Sequence, residues 1–269
     1  MSKGSQPTDG GNLLLSEDEK QLLITKYPTA EKWVYRFMMG EDFINNKYRY
    51  CLWLVGVNPA ELKRCTDIMK RLENVSELRR KSPTASVQKD ADTPMLFTQI
   101  RQPKSNYLAI PRVSSERRKY IPMAFLEPDI IAGDKLQFIE GLGIYHFGVL
   151  TSNVHMAWMR ITAGRLKSDY SYSPAVYNNF PWPTPTDAQK NKIEQTAQAI
   201  LDARALYPDC SLADLYDEVT MPKELREAHR RNDKAVWEAY GKAWDIKSES
   251  ACVAELMKLY QKLTERRNI

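Results

Sequence analysis

The chain has 269 residues, 43% of them hydrophobic, with a formal net charge of +5 and a pI near 8.9. That length buries at least one full core, and two are expected; no apolar stretch approaches the ~20 residues of a membrane span, and residues 1–7 lack the apolar core of a signal peptide, so a cytoplasmic protein is expected. Cys51, Cys65, Cys210 and Cys252 form no Cys-x-x-Cys pair, and His146, His155 and His229 are scattered, which fits a reduced protein with small buried thiols and argues against a zinc site.

In chain order, Gly10-Gly11-Asn12 is a loop signal, and Ser16 with Glu19 has the spacing of a capping box. The pair predicts a helix over residues 17–26, stopped by Pro28. Residues 29–39 read as a second amphipathic helix with Trp33, Phe37 and Met38 toward the core, and residues 50–55 as a buried strand. Between 59 and 81, Leu62, Cys65, Met69 and Leu72 recur at helical spacing. The opposite face carries Lys63, Arg64, Lys70 and Arg71 and reads as a solvated face. Residues 82–93 read as a polar loop.

From 107 to 152 the texture changes. Segments 108–110, 120–126, 130–140 and 144–150 are separated by Pro, Gly and Asp, and predict a small, mostly antiparallel sheet. Ser152 is placed to cap a helix over 153–162, ended by Gly164, and residues 166–173 read as one further strand. Phe180-Pro181-Trp182-Pro183 marks a boundary. Beyond it Thr186 and Gln189 form a second capping box, with Ile193, Ala197, Ile200 and Leu201 on one face. Leu225, Ala228, Val236, Tyr240 and Ala243 make a second apolar stripe; Val253, Leu256, Tyr260 and Leu263 make a third. Three helices with a short turn at 212–216 form a bundle. The fold class expected is α+β, a small mixed or antiparallel sheet with flanking helices followed by a C-terminal helical bundle.

The search for catalytic chemistry finds none. Gly141-x-Gly143 is followed by a strand-like run and lacks a helix-opening third glycine. Asn58-Pro59-Ala60-Glu61 shares its first two residues with the Asn-Pro-Pro-Tyr motif of adenine methyltransferases, but lacks the aromatic residue that stacks on a flipped base and reads as a turn. Asp129 and Asp134 are acids at loop ends. By contrast Arg101, Lys104, Arg112, Arg117, Arg118 and Lys119 lie close together with Glu116 as the one acid among them, which fits polyanion binding. If 166–173 is a strand, period two puts Leu166, Tyr170 and Tyr172 on one face, and Lys167, Asp169, Ser171 and Ser173 on the other. A lysine donates to guanine O6 and N7 and a carboxylate accepts from cytosine N4, so the pair suits one G·C pair in a DNA groove. On pattern alone an ordinary surface ion pair is the plainer account.

Three runs, residues 152–160 (Ser-Asn-Val-His-Met-Ala-Trp-Met-Arg), 164–170 (Gly-Arg-Leu-Lys-Ser-Asp-Tyr) and 176–183 (Val-Tyr-Asn-Asn-Phe-Pro-Trp-Pro), together resemble the C-terminal part of the MmeI-like (type IIL) restriction–modification enzymes. Gly4-x-Gln6-Pro7-x-Asp9-Gly10-Gly11-Asn12-Leu13 and the run 49–54 resemble the same family just downstream of its methyltransferase core. Such enzymes join a nuclease, an adenine-N6 methyltransferase and a target-recognition domain. The resemblance implies a C-terminal fragment, or the product of a split gene, that recognises duplex DNA without modifying it. The implied segments are 1–60, linking to the methyltransferase, 61–183, the target-recognition domain, and 184–269, a bracing helical bundle. It implies no cofactor in this chain, with S-adenosylmethionine and Mg2+ belonging to the parent enzyme. The implied partners are DNA and the methyltransferase and nuclease portions, with no membrane.

Carried over from the family, Lys167 and Asp169 read bases in the major groove. Ser171 stands where many members have arginine, and Lys135, on a preceding strand, is a compensating donor. Arg165, Arg117, Arg118 and Lys119 are the phosphate contacts expected. The aromatic residues Trp158, Tyr177, Phe180 and Trp182 are expected at a joint between domains, and His155 as a hydrogen-bonded structural residue. A rival reading is a protein-interaction or scaffold module whose basic surface docks an acidic partner.

Overall fold

The computed structural model describes residues 1–241 and 248–267. In chain order its elements are β1 (Ser2–Lys3), β2 (Leu14–Leu15), α1 (Glu17–Lys26), β3 (Val34–Met38), α2 (Gly40–Ile44), β4 (Arg49–Leu52), α3 (Pro59–Leu62), α4 (Thr66–Arg80) and α5 (Ala85–Lys89). There follow β5 (Tyr107–Pro111), β6 (Val113–Ser114), β7 (Ala124–Leu126), β8 (Ile130–Ala132), β9 (Leu136–Glu140), α6 (Ile144–Leu150) and α7 (Asn153–Thr162). The last are β10 (Gly164–Leu166), β11 (Asp169–Ser171), α8 (Pro174–Asn178), α9 (Asp187–Ala205), α10 (Leu212–Leu215), α11 (Lys223–Tyr240) and α12 (Glu249–Arg267). The class is α+β, and no helix among the described residues is long and apolar enough to cross a membrane.

Two compact units divide the chain, one of residues 2–106 with 126–138, the other of Met1, 107–125 and everything from 139 onward. In the second unit, buried residues between 108 and 180 share one core with buried residues between 193 and 256.

The first unit is built on a four-stranded sheet of order β2-β4-β3-β8. The capping box of α1 is complete, Ser16 with the Glu19 amide and Glu19 with the Ser16 amide. Residues 29–39 differ from the helix expected: a 3-10 turn, Pro28–Trp33, leads into β3. Val34, Tyr35 and Phe37 are β-favouring, and β3 is paired on both sides, antiparallel to β4 and parallel to β8, so the ladder overrides the helical spacing. Trp33, Phe37 and Met38 are nonetheless buried. The 82–93 loop contains the short helix α5 and a 3-10 turn.

Two arginines eight residues apart on α4 organise the N-terminal segment. Arg71 donates to the Asn12 and Leu14 carbonyls at 3.1 and 3.3 Å and to Glu19 at 2.6 Å, so it departs from the solvated face on which Lys63, Arg64 and Lys70 remain exposed. Arg79 is fully buried, and burial lowers its pKa. Its donors meet the carbonyls of Leu96 (2.7 Å), Pro7 (2.8 Å), Thr8 (3.0 Å), Asp90 (3.0 Å) and Thr93 (3.1 Å). A guanidinium has five N–H bonds, and each finds an acceptor here.

The second unit places β10 and β11 and the helical tail on one core. Segment 144–150 forms α6 in place of the expected strand. Tyr145, Phe147, Val149 and Leu150 are buried on different sides of the helix, so its composition carries no period. Gly148 permits the approach of α9: a Cβ there would lie 2.8 Å from the Ile193 side chain and 2.9 Å from Ala197. Of residues 120–126 only 124–126 form a strand, and 130–140 is split by a turn at Asp134-Lys135. Helix α7 spans the residues expected, with the Ser152 hydroxyl accepting from the His155 amide. In the tail, Ile193, Ala197, Ile200, Leu225, Ala228, Val236 and Leu256 are buried, whereas Leu263 is 43% exposed. Ala243 lies outside the described residues.

Replacing Arg79 by Met leaves these carbonyls buried without donors, and is expected to lower stability by about 3–5 kcal/mol. Lysine, with three donors on a point charge, should recover only part of the loss. Urea unfolding of the two variants beside the parent chain measures both effects.

Candidate nucleic-acid interface

The segment read as one strand, 166–173, is a hairpin. β10 and β11 are antiparallel, with Gly164 opposite Ser171, Arg165 opposite Tyr170 and Leu166 opposite Asp169. Lys167 and Ser168 form the two-residue loop between them. β11 continues onto β6 through Tyr170 opposite Ser114 and Ser171 opposite Val113. The Tyr172 amide extends the ladder to the Arg112 carbonyl at 2.7 Å.

The loop resets the alternation of side chains. Directly opposed residues of an antiparallel pair project from the same face. Leu166, Asp169 and Ser171 therefore share the outer face, and Arg165 and Tyr170 share the inner one. This corrects the facing read from period two: Leu166 sits beside Asp169, away from Tyr170, and Lys167 leaves the ladder altogether. Lys167 occupies the left-handed region with φ of +56° and is exposed at the hairpin tip. A left-handed conformation costs a non-glycine residue about 1–2 kcal/mol, so the loop holds this residue against its backbone preference.

The inner face is anchored. Tyr170 is buried, with the Arg165 guanidinium 3.8 Å above its ring. Arg165 also donates to the Ser168 carbonyl at 2.6 Å and pairs with Glu116 at 3.3 Å, so it braces the hairpin on the Tyr170 face while its own side chain stays exposed. Tyr172 is fully buried and shares a 2.8 Å hydrogen bond with His155 Nε2. Burial holds the His155 pKa down at about 3, which keeps the ring neutral. The Phe180 ring meets the same imidazole in a T-shaped contact, with centroids 4.6 Å apart.

The basic residues 117–119 follow a turn closed by the Arg118 amide on the Ser115 carbonyl at 3.1 Å. Arg117 and Lys119 are exposed. Arg118 is half-buried, and burial lowers its pKa against the opposing pull of the Asp169 and Asp217 carboxylates. Its Nε has no hydrogen-bond partner among the described residues. Thus Arg117, Arg118, Lys119, Arg165, Lys167, Asp169 and Ser171 all belong to the second unit, and the Glu116–Arg165 pair ties the basic turn to the hairpin. Lys135 belongs to the first unit. It occupies a turn, not a strand, and is exposed with its Nζ 3.2 Å from Asp134.

The aromatic residues expected at a domain joint lie within the second unit. Phe180 and Trp182 are 5.4 Å apart, Tyr177 and Trp182 5.9 Å, and Trp158 and Phe180 6.3 Å. They connect the hairpin region to the tail, with Trp158 5.6 Å from Tyr260 and the Tyr240 hydroxyl donating to the Pro181 carbonyl at 2.8 Å. Sequence reasoning missed the hairpin because Lys167-Ser168 carries none of the Gly or Asn that mark two-residue loops. It missed the Arg118–Asp169 proximity because nothing local relates the two positions.

A short rigid hairpin that presents an acid, a hydroxyl and an apolar side chain outward, an amine at its tip and arginines beside it, defines a recognition module carried on a helical base. Comparison with known proteins agrees. Residues 1–184 match the family described as MmeI, target recognition domain, and residues 185–267 match MmeI, C-terminal domain. DNA methyltransferase A of Bacillus subtilis (strain 168) is 38% identical over 264 residues, 98% of this chain and 30% of that protein. The structure of the type IIL restriction–modification enzyme MmeI in complex with DNA superposes with a TM-score of 0.95 at 43% identity, over 98% of this chain and 35% of that one. The chain belongs to the MmeI family, as its target recognition and C-terminal domains, and spans about a third of the length of these relatives.

The His155 environment makes stability pH-dependent. Unfolded, the ring takes up a proton below about 6.5; folded, it does so only near 3. Its contribution is present above 6.5 and is lost as pH falls toward 3. His229, fully buried and also shifted down, acts in the same sense. Asp233, raised to about 6 by burial, acts in the opposite sense as pH rises from the ordinary carboxyl range to that value. Between pH 7 and 5, His155 is expected to account for about 2 kcal/mol. Urea unfolding at both pH values should show that much less acid sensitivity in His155→Phe than in the parent chain.

Proposed function

We propose that the chain reads the base sequence of duplex DNA in the major groove for a restriction–modification adenine-N6 methyltransferase. The observation that carries this reading is the outer face of the β10–β11 hairpin, held from behind by Tyr170 and Tyr172, in a chain whose relative MmeI was solved in complex with DNA. A two-stranded ribbon fits the major groove. Lys167 approaches from the tip and donates to guanine O6 and N7. Asp169 approaches from the outer face and accepts from cytosine N4. Ser171 offers a hydroxyl where a longer donor would reach further, and Lys135 supplies an additional donor. Arg117 and Lys119 contact phosphates, and the half-buried Arg118 between them adds its charge to the same patch. Arg165, already bonded three ways, contributes mainly by stiffening the hairpin. Phosphate contacts position the domain and base contacts select the sequence.

Catalysis belongs, in this reading, to the remainder of the parent enzyme, which supplies S-adenosylmethionine and Mg2+ chemistry. The Gly141-x-Gly143 pair does not fit a nucleotide loop, since it opens α6, seven residues long and packed on α9.

Affinity measured on one duplex at several salt concentrations should fall steeply, with a log–log slope of roughly −0.9 per phosphate contacted. A flat response would sink the proposal. Exchanging the pair, Lys167→Glu with Asp169→Arg, should change the preferred base pair at one position of the site and leave the others. Selection from a random duplex library tests this, and an unchanged site would remove the pair from base reading.

A further inference from the structure

We infer that Leu166 is a further specificity-determining residue, which reads the C5 edge of a pyrimidine in the major groove through an apolar contact. The inference rests on the DNA-reading function proposed above and adds to it a residue and a chemistry that polar readout lacks.

Leu166 is 58% exposed on the last position of β10. Its neighbours along the hairpin are accounted for otherwise: Arg165 braces the inner face, Tyr170 is in the core, and Lys167 is in the loop. The hairpin does not need an apolar side chain at this position for stability, because the leucine buries nothing in the core that Tyr170 and Tyr172 already occupy. An isolated exposed leucine is ordinary on a protein surface. What singles this one out is register. It stands directly across from Asp169, on the same outer face, where cross-strand side chains begin about 5 Å apart. The bond from Arg165 to the Ser168 carbonyl fixes the turn that sets this opposition.

The chemistry of a pyrimidine edge matches the pair. On the major-groove side, C5 adjoins the C4 substituent, so the N4 amine of cytosine lies beside a C–H and the O4 of thymine beside a methyl group. A carboxylate placed to accept from N4 brings its cross-strand neighbour over C5 of the same base or of the adjacent pyrimidine. A branched apolar side chain there distinguishes a methyl from a hydrogen by burying it, which neither Lys167 nor Ser171 can do.

The test uses the 269-residue chain and its Leu166→Ala variant, which removes an exposed side chain and should leave the unfolding midpoint unchanged. Duplexes enriched by the parent chain from a random library are resynthesised with deoxyuridine for each thymidine and 5-methyldeoxycytidine for each deoxycytidine, one position at a time. At one pyrimidine the parent chain should respond to the C5 methyl by about three- to fivefold in Kd, the effect of burying one methyl group. The variant should be indifferent at that position while keeping the preference for every other base. Equal responses of the two proteins at all positions, or no response in either, would overturn the role of Leu166 and leave DNA reading intact. Enrichment of no sequence at all would instead overturn DNA reading, and Leu166 with it.

Discussion

The β10–β11 hairpin depends on how β11 is held from behind. Three residues of strand cannot fix their own register against slippage, and a slip of one residue would exchange inner and outer faces. Tyr172 prevents it at two points, its amide on the Arg112 carbonyl and its hydroxyl on the buried neutral His155. The histidine is in turn placed by α7, whose N-terminus is doubly secured. Ser152 caps it, and Asp233 of α11 accepts from the Asn153 amide at 2.8 Å and from the Tyr120 hydroxyl at 2.6 Å. Each neutral hydrogen bond contributes only about 1 kcal/mol. Together they remove the freedom that would otherwise let the outer face wander.

Positive charge in this protein has two separate employments. Arg79 and Arg204 are buried and serve as donors to backbone carbonyls or to the Tyr216 hydroxyl. Arg71 and Arg165 are partly committed to carboxylates and to carbonyls of their own surroundings. Arg117, Lys119 and Lys167 remain exposed. A net charge of +5 therefore says little about affinity for a polyanion, since part of it is structural. The same sorting explains the glycine-rich text near the N-terminus: Pro7 and Thr8 give their carbonyls to Arg79, and Asp9 accepts from the Leu13 amide at 2.6 Å, so these residues form a knot around α4.

Elements with capping chemistry were legible from sequence because the caps are local: Ser16 with Glu19, Ser152, and Thr186 with Gln189 each begin the helix expected. Elements decided by tertiary pairing were not. Residues 34–38 have a spacing that serves either a helix or a strand, and only β4 and β8 select the strand. Residues 144–150 are apolar apart from His146 and show no clear period, and the choice of helix comes from their packing against α9. That Asp169 and Ser171 share a face was readable, whereas the places of Lys167 and Leu166 were not, because a lysine in a left-handed conformation gives no turn signal. Resemblance to the MmeI family supplied the polar candidates, and register alone brought out Leu166.

Arg204 carries a consequence for exchanging specificity between relatives. From α9 it donates to the Met123 carbonyl at 2.7 Å and to the Tyr216 hydroxyl, which also meets His229 at 2.8 Å. A chimera spliced after residue 184 would pair one parent's residue 123 carbonyl with another parent's guanidinium and helices, across a shared interior. Grafts that move the hairpin alone, or the whole second unit with its tail, respect that interior; a cut at the family boundary runs through it.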